Sequence, residues 1–185
     1  MNLYKPTINS SYKSTAILNE PINDNTIKSS VDFISLIKTA QSISKEVEFD
    51  KLLGSLMKAI MENSGANNAS FLLNKKNRWS IIASATEQKI TIQRYMHYES
   101  NLPVSIINYV IRTNEIIVID DITKTKFRED SYFTKKTIRS ILCIPLLDRG
   151  ALIAVLYLEN TMIYGAFTED KIEILKLLSS QTVIS

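Results

Sequence analysis

The sequence predicts an α+β fold built on a central antiparallel sheet. Three observations carry that reading. Helical periodicity frames the ordered part of the chain at both ends, and short strand-like runs joined by polar turns fill the middle. In addition, one hairpin, "ILCIPLL" paired with "ALIAVLYL", is apolar on both faces. A half-exposed antiparallel strand alternates apolar and polar residues. These strands do not, so the hairpin belongs in mid-sheet with protein covering both sides.

The elements follow in order. Residues 1–28 are rich in Asn, Ser and Thr, with no helical or strand period, and read as a linker or disordered arm. Ordered structure, 29–185, should begin where Ser29 and Asp32 have the spacing of a capping box. Leu36, Ala40, Ile43 and Val47 then mark a first helix, Val31 to Val47. A second, from Asp50 to Ser64, buries Leu53, Leu56 and Ile60 and ends at Gly65, which suits a left-handed cap. "ASFLLN" and "WSIIASAT", separated by "KKNR", form a hairpin. Glu87 to Asn101 is ambiguous between a strand and a loop. Pro103 is tolerated in the first turn of the next helix, whose face is Val104, Ile107 and Ile111, and Asn114 can take its left-handed cap. "IIVID" is a strand, and "TKTKFREDSYFTKKT" holds a short helix with long flanks. Asp148-Arg149-Gly150 closes the central hairpin, Ile141–Leu147 with Ala151–Leu158. Thr168, followed by Glu169 and Asp170, starts the final helix, packed through Ile172, Leu175 and Leu178. That helical pattern is still running at Ser185, which leads us to expect a piece of a longer protein.

Composition narrows the function. A chain of 185 residues with net charge +3 offers no general case for nucleic acid or a membrane surface. With one cysteine there is no intramolecular disulfide, which fits a reducing cytosol, and no secretory signal or membrane-length apolar run occurs. The expected setting is cytoplasmic.

"LPVSIINYVIRTNEIIVIDDITKTKF", then "RSILCIPLLDRGALIAVLYLEN", then "GAFTEDKIEILKLLSSQTVIS" resembles a GAF domain, with the motifs in order from about Val31 to the end. The resemblance implies a six-stranded antiparallel sheet. It also implies terminal helices on one face and pocket-covering helices and loops over a small-molecule pocket on the other. More narrowly, the chain is similar to the GAF module of large bacterial hybrid kinases. Those join a serine/threonine-kinase-like region and an ATPase region to a GAF domain and a histidine kinase of the two-component type.

Candidate chemistry is sparse. Cys143 lies between Leu142 and Ile144 in the doubly apolar strand and reads as an inert packed residue. Bilin-binding GAF domains attach chromophore through a cysteine commonly followed by histidine on a pocket helix; Arg128 to Thr137 contains neither. GAF-fold methionine sulfoxide reductases use several cysteines. His97, the single histidine, sits beside Tyr98, Glu99 and Ser100, a surface-loop setting that argues against metal or haem. No cofactor or metal is therefore expected. Asp120-Asp121 and Glu129-Asp130 suit strand ends and helix starts better than two-carboxylate catalysis. Lys124, Lys126, Arg128, Lys135, Lys136 and Arg139 surround Phe127, Tyr132 and Phe133, in the segment that covers the pocket in GAF domains. The cyclic-nucleotide signature is partial: Asn160, Phe167 and Asp170 fit, but Thr161 and Lys171 replace the expected lysine and glutamate.

The reading is a non-catalytic sensory GAF domain of a signalling kinase. Any pocket is expected under Phe127 to Thr137, lined by Ile107, Ile111, Asp121, Phe127, Tyr132 and Phe133, these being candidates by family position and chemistry. The rivals are a ligand-free dimerisation module, the GAF domain of a transcriptional activator and a small GAF-fold enzyme. A homodimer through the terminal helices is also expected. Phe33, Ile37, Ala40, Ser44 and Val47 have heptad-like spacing, and Ile174, Leu177 and Ile184 lie off the packed stripe of the last helix.

Overall fold

The structure, a computed structural model, describes residues 46–180. The predicted arm, the helix start at Ser29, nearly all of the first helix and the end of the last one lie outside the described residues. The elements run α1 (Glu46–Ser64), β1 (Asn68–Lys75), β2 (Arg78–Thr86), β3 (Ile90–His97), α2 (Val104–Thr113) and β4 (Ile117–Ile119). After 3₁₀ turns at Ile122–Lys124 and Lys126–Glu129 come α3 (Ser131–Lys135), β5 (Ser140–Asp148), β6 (Ala151–Asn160) and α4 (Glu169–Ser180). The strands form one six-stranded sheet in the order β3-β2-β1-β6-β5-β4, every neighbouring pair antiparallel. No helix among the described residues is long and apolar enough to cross a membrane.

The expected hairpin lies inside this sheet. Along β6, Ala154, Leu156 and Leu158 enter the core beneath α1 and α4, with Leu53, Met57, Ile60, Ile172 and Leu175. The alternate residues Val155 and Tyr157 enter a second core beneath α2, with Ile106, Ile107 and Val110. β5 divides the same way, Leu142, Ile144 and Leu146 to the first core, Ile141 and Cys143 to the second. A strand buried on both faces has no reason to alternate, which is why these two do not.

Backbone chemistry sets the joints. Lys76 and Asn77 between β1 and β2, and Arg149 and Gly150 between β5 and β6, all have positive φ. Two-residue hairpin loops require that, because their turns must match the strand twist. Asn114 holds φ 56° and its amide bonds Val110 O at 2.9 Å, closing α2 as expected. Pro103 differs: it stands at the N-cap of α2 rather than within the first turn.

Two further readings are corrected. The predicted break between helices at Val47–Asp50 lies within α1, which runs unbroken from Glu46. No Gly or Pro interrupts that stretch, and Phe49 and Leu52 continue the apolar face onto the sheet. The ambiguous Glu87–Asn101 segment contains β3, an edge strand paired to β2 from Ala85↔Ile90 to Ser80↔His97. Its weak apolar signal is that of an edge, where tertiary pairing decides the conformation.

Asn160 locks the end of β6. Its Oδ1 accepts from the amides of Met162 and Ile163 at 2.8 and 2.7 Å, and its Nδ2 donates to Gly65 O at 2.8 Å. Beside it the buried Ser140 hydroxyl donates to Ile163 O at 2.9 Å and accepts from the Ala166 amide at 3.3 Å. The loop before α4 is thereby pinned to the turn after α1. Asn160→Ala strands these partners in a buried setting, so chemical denaturation should show a loss of about 2–3 kcal/mol. A loss of only about a few tenths of a kcal/mol would show that the clamp contributes little to stability.

Candidate functional site

Sheet register assembles the floor of a cavity on the α2 side. Across the strands, Ser84 of β2, Ser70 of β1 and Tyr157 of β6 fall opposite one another, and the next row is Thr86, Asn68 and Glu159. The rows are polar from β2 to β6, and become apolar at Cys143, Ile141 and Ile117 toward β4. Gln93 extends the polar patch from β3 by donating to Ser84 Oγ at 2.9 Å. Small side chains at Ser70 and Ser84 leave room above the sheet. The resulting cavity holds about 270 Å³ and is also lined by Ile81, Met96, Asn101, Leu102, Tyr132 and Lys136.

The cover is tied down by polar contacts. Asp130 Oδ1 accepts from the Tyr132 amide at 3.0 Å and Oδ2 from the Ser105 amide at 2.8 Å, so one carboxylate caps α3 and fastens it to the start of α2. Burial alone would raise the Asp130 pKa, but the bonds from the Tyr132 and Ser105 amides outweigh it and hold the group below its ordinary value. Tyr132 then reaches down from α3, its ring edge-on to Phe133 with centroids 5.4 Å apart. Lys136 folds back over the Tyr132 ring at 4.4 Å and donates to its hydroxyl at 2.8 Å.

Glu159 is the centre of the arrangement. It is 2% exposed, and its Oε2 accepts from the hydroxyls of Tyr132 at 2.8 Å and Tyr157 at 2.9 Å. Burial first, and then the neighbouring Glu159 carboxyl, push both phenols well above their ordinary pKa, so both remain donors. The carboxyl thus joins the cover to the sheet through a phenol from each.

Of the six candidate ligand residues, Tyr132 lines this cavity. Ile107 is fully buried in the second core, with Ile111 packed at its margin. Phe127 is buried there too, edge-on to Tyr109 at 6.0 Å. Phe133 touches the cavity through Tyr132, not directly. Asp121 faces another way: it caps the first 3₁₀ turn, accepting from the Thr123 amide at 3.0 Å and hydroxyl at 2.6 Å, and pairs with Lys124 at 3.3 Å. The floor residues and Glu159 carried one legible signal: in a strand buried on both sides, a charge two places after Tyr157 marks a polar spot on one face.

The remaining candidates divide. His97 is the last residue of β3 rather than part of a loop, and is exposed, 3.9 Å from Glu99. Among the described residues no three acidic, cysteine or histidine side chains group as metal ligands. Lys126 stacks at Phe127, Arg128 donates to Thr123 O and Arg139 lies over Tyr164, so of the basic cluster Lys136 alone lines the cavity. Asn160, Phe167 and Lys171 serve the fold: Phe167 is buried under α4 and Lys171 donates to Ala166 O at 3.0 Å.

The GAF domain family model matches residues 48–185, and the chain belongs to that family. Among curated proteins it is similar to hybrid signal transduction histidine kinase G of Dictyostelium discoideum, 43% identical over 46% of this chain and 2% of the relative. It is also similar to the peroxide stress-activated histidine kinase mak3 of Schizosaccharomyces pombe, 24% identical over 82% of this chain and 7% of that protein. The chain therefore spans a small fraction of these relatives, which are eukaryotic histidine kinases. Among solved structures, the GAF domain region of a putative membrane protein from Geobacter sulfurreducens superposes with a TM-score of 0.57 at 16% identity, covering 75% of this chain and 92% of that one. The likeness shows the shared fold.

Cys143 lies in the second core, fully buried, opposite Ile117 and Tyr157, and burial raises its thiol pKa far out of the reactive range. Cys143→Ser should cost about 1–3 kcal/mol by burying a hydroxyl. Native protein should react with a thiol reagent no faster than it opens; labelling within seconds, without denaturant, would contradict the packing role.

Proposed function

We propose that the chain is the sensory GAF domain of a multidomain signalling histidine kinase, cytoplasmic and itself non-catalytic, which binds a small molecule in the cavity beneath α3. One observation carries this reading: a cavity of about 270 Å³ whose walls bring a buried carboxyl, two phenols, Ser70, Ser84 and Gln93 together. The kinase relatives favour this output over a transcriptional activator, and being eukaryotic they do not specify a bacterial hybrid kinase with serine/threonine-kinase-like and ATPase regions. The family's cofactor chemistries find little purchase here, since the lone thiol is buried and unactivated. Binding would bias the packing of α1 and α4, because β6 forms the cavity floor with Tyr157 and Glu159 and the helix-side core with Leu156 and Leu158. Amide-shift titration with pooled polar metabolites should perturb Ser70, Ser84, Asn101 and Tyr157 first. Shifts confined to the outer faces of α1 and α4 would refute this placement.

The relay continues through a homodimer. Val47 on α1 and Ile174 on α4 are 67% and 42% exposed, on helices that pack against each other, and a second copy would cover them. Sedimentation across a concentration series should reveal reversible dimerisation weakened by Val47→Glu. A monomer throughout at high micromolar concentration would rule it out.

A further inference from the structure

We infer that the ligand carries a cationic, hydrogen-bond-donating head, an ammonium or amidinium, that seats on Glu159; the inference rests on the cavity being the ligand site. A carboxyl 2% exposed is costly to bury unless it is paired or fully hydrogen-bonded. Glu159 is only half provided for. Both phenols converge on Oε2, and among the described residues no donor bonds Oε1 and no cation stands within ion-pair distance of the group. The ammonium that lines the cavity, Lys136, lies over the ring of Tyr132 and donates to its hydroxyl, and so reaches Glu159 only through that phenol. Every other lining side chain is neutral.

The arrangement selects by charge and size. At the sheet end of the cavity an anion would meet the Glu159 carboxyl, with the Lys136 ammonium one phenol away, and the low local polarity sharpens that repulsion. A cation would supply the missing partner through a charge-assisted bond. Ser70, Asn68 and Gln93 beside it offer neutral acceptors for further N–H groups. The volume is equivalent to about nine waters at ~30 Å³ each, and falls just below the range usual for drug-sized ligands. A compact amine or amidine fits those limits.

Three near-isosteric probes separate the possibilities: n-butylammonium, n-butanol and butyrate, each titrated into the chain while the amides of Ser70, Ser84, Asn101, Tyr157 and Glu159 are followed. Butylammonium should shift these amides saturably and bind about tenfold or more tightly than butanol, with butyrate weakest. Glu159→Gln should abolish the preference for the ammonium while the butanol response persists. If the three probes bind alike, or butyrate binds best, the charge assignment is overturned and the cavity stands as a site of other chemistry. If none perturbs the cavity amides, the cavity itself fails as the site, and the inference with it. Should Glu159→Gln unfold, the order of the three probes on the unaltered chain decides the matter alone.

Discussion

The β5–β6 pair has no face that can be left to water, and the rest of the molecule is arranged to satisfy it. Leu142, Ile144, Leu156 and Leu158 demand one covering layer, and Ile141, Cys143, Val155 and Tyr157 demand another. Each such aliphatic side chain is stabilised by about 1.5–3 kcal/mol when removed from water. Exposing either row would therefore cost as much as a small domain's whole stability. The chain meets the demand by placing α1 and α4 on one side and α2 with its following turns on the other. Strand order follows from the same constraint, since β6 and β5 take the fourth and fifth positions of β3-β2-β1-β6-β5-β4, with β1 and β4 flanking the pair so that neither strand is an edge.

The two layers are unequal, and the cavity lies on the weaker side. Beneath α1 and α4 the core is continuous and apolar from Leu53 to Leu175. On the other side α2 packs as a full helix, but the cover beyond it is assembled from 3₁₀ turns and the five-residue α3. Too short to bury a large apolar stripe, α3 contains no fully buried residue and is held by Asp130, Tyr132 and Lys136. Polar ties of that kind are each worth about 1 kcal/mol net. Such a segment opens locally at lower cost than the core it covers. The cavity therefore lies under the part of the fold that opens most cheaply.

Asn160 and Phe167, which fit the cyclic-nucleotide signature, serve the fold in this chain. Asn160 is adjacent to Glu159 in sequence, yet strand alternation and the end of β6 send the two side chains to different tasks. Glu159 turns to the cavity, while Asn160 holds the loop at Met162–Ile163 and the turn at Gly65. Phe167 and Lys171 extend that clamp toward α4. Cavity and clamp thus meet at consecutive residues of one strand, which gives β6 mechanical contact with both the cavity face and the terminal helices.

Local chemistry alone determined much of this. The doubly apolar hairpin, the left-handed positions at Gly65 and Asn114, the tight turn at Arg149-Gly150 and the inertness of Cys143 follow from side-chain period, backbone permissiveness and thiol burial, all legible along the chain. The segment that covers the cavity was legible to the level of Tyr132. The tertiary structure decided what depends on register: which of Ser70, Ser84, Asn68 and Glu159 share a row, and that β3 pairs at the edge. It also decided that Asp121 caps a 3₁₀ turn through Thr123 and that Phe127 packs in the second core. A one-residue slip in pairing turns every side chain to the opposite face. The meeting of four strands at one polar patch is therefore a property of the assembled sheet, which no single strand's sequence contains.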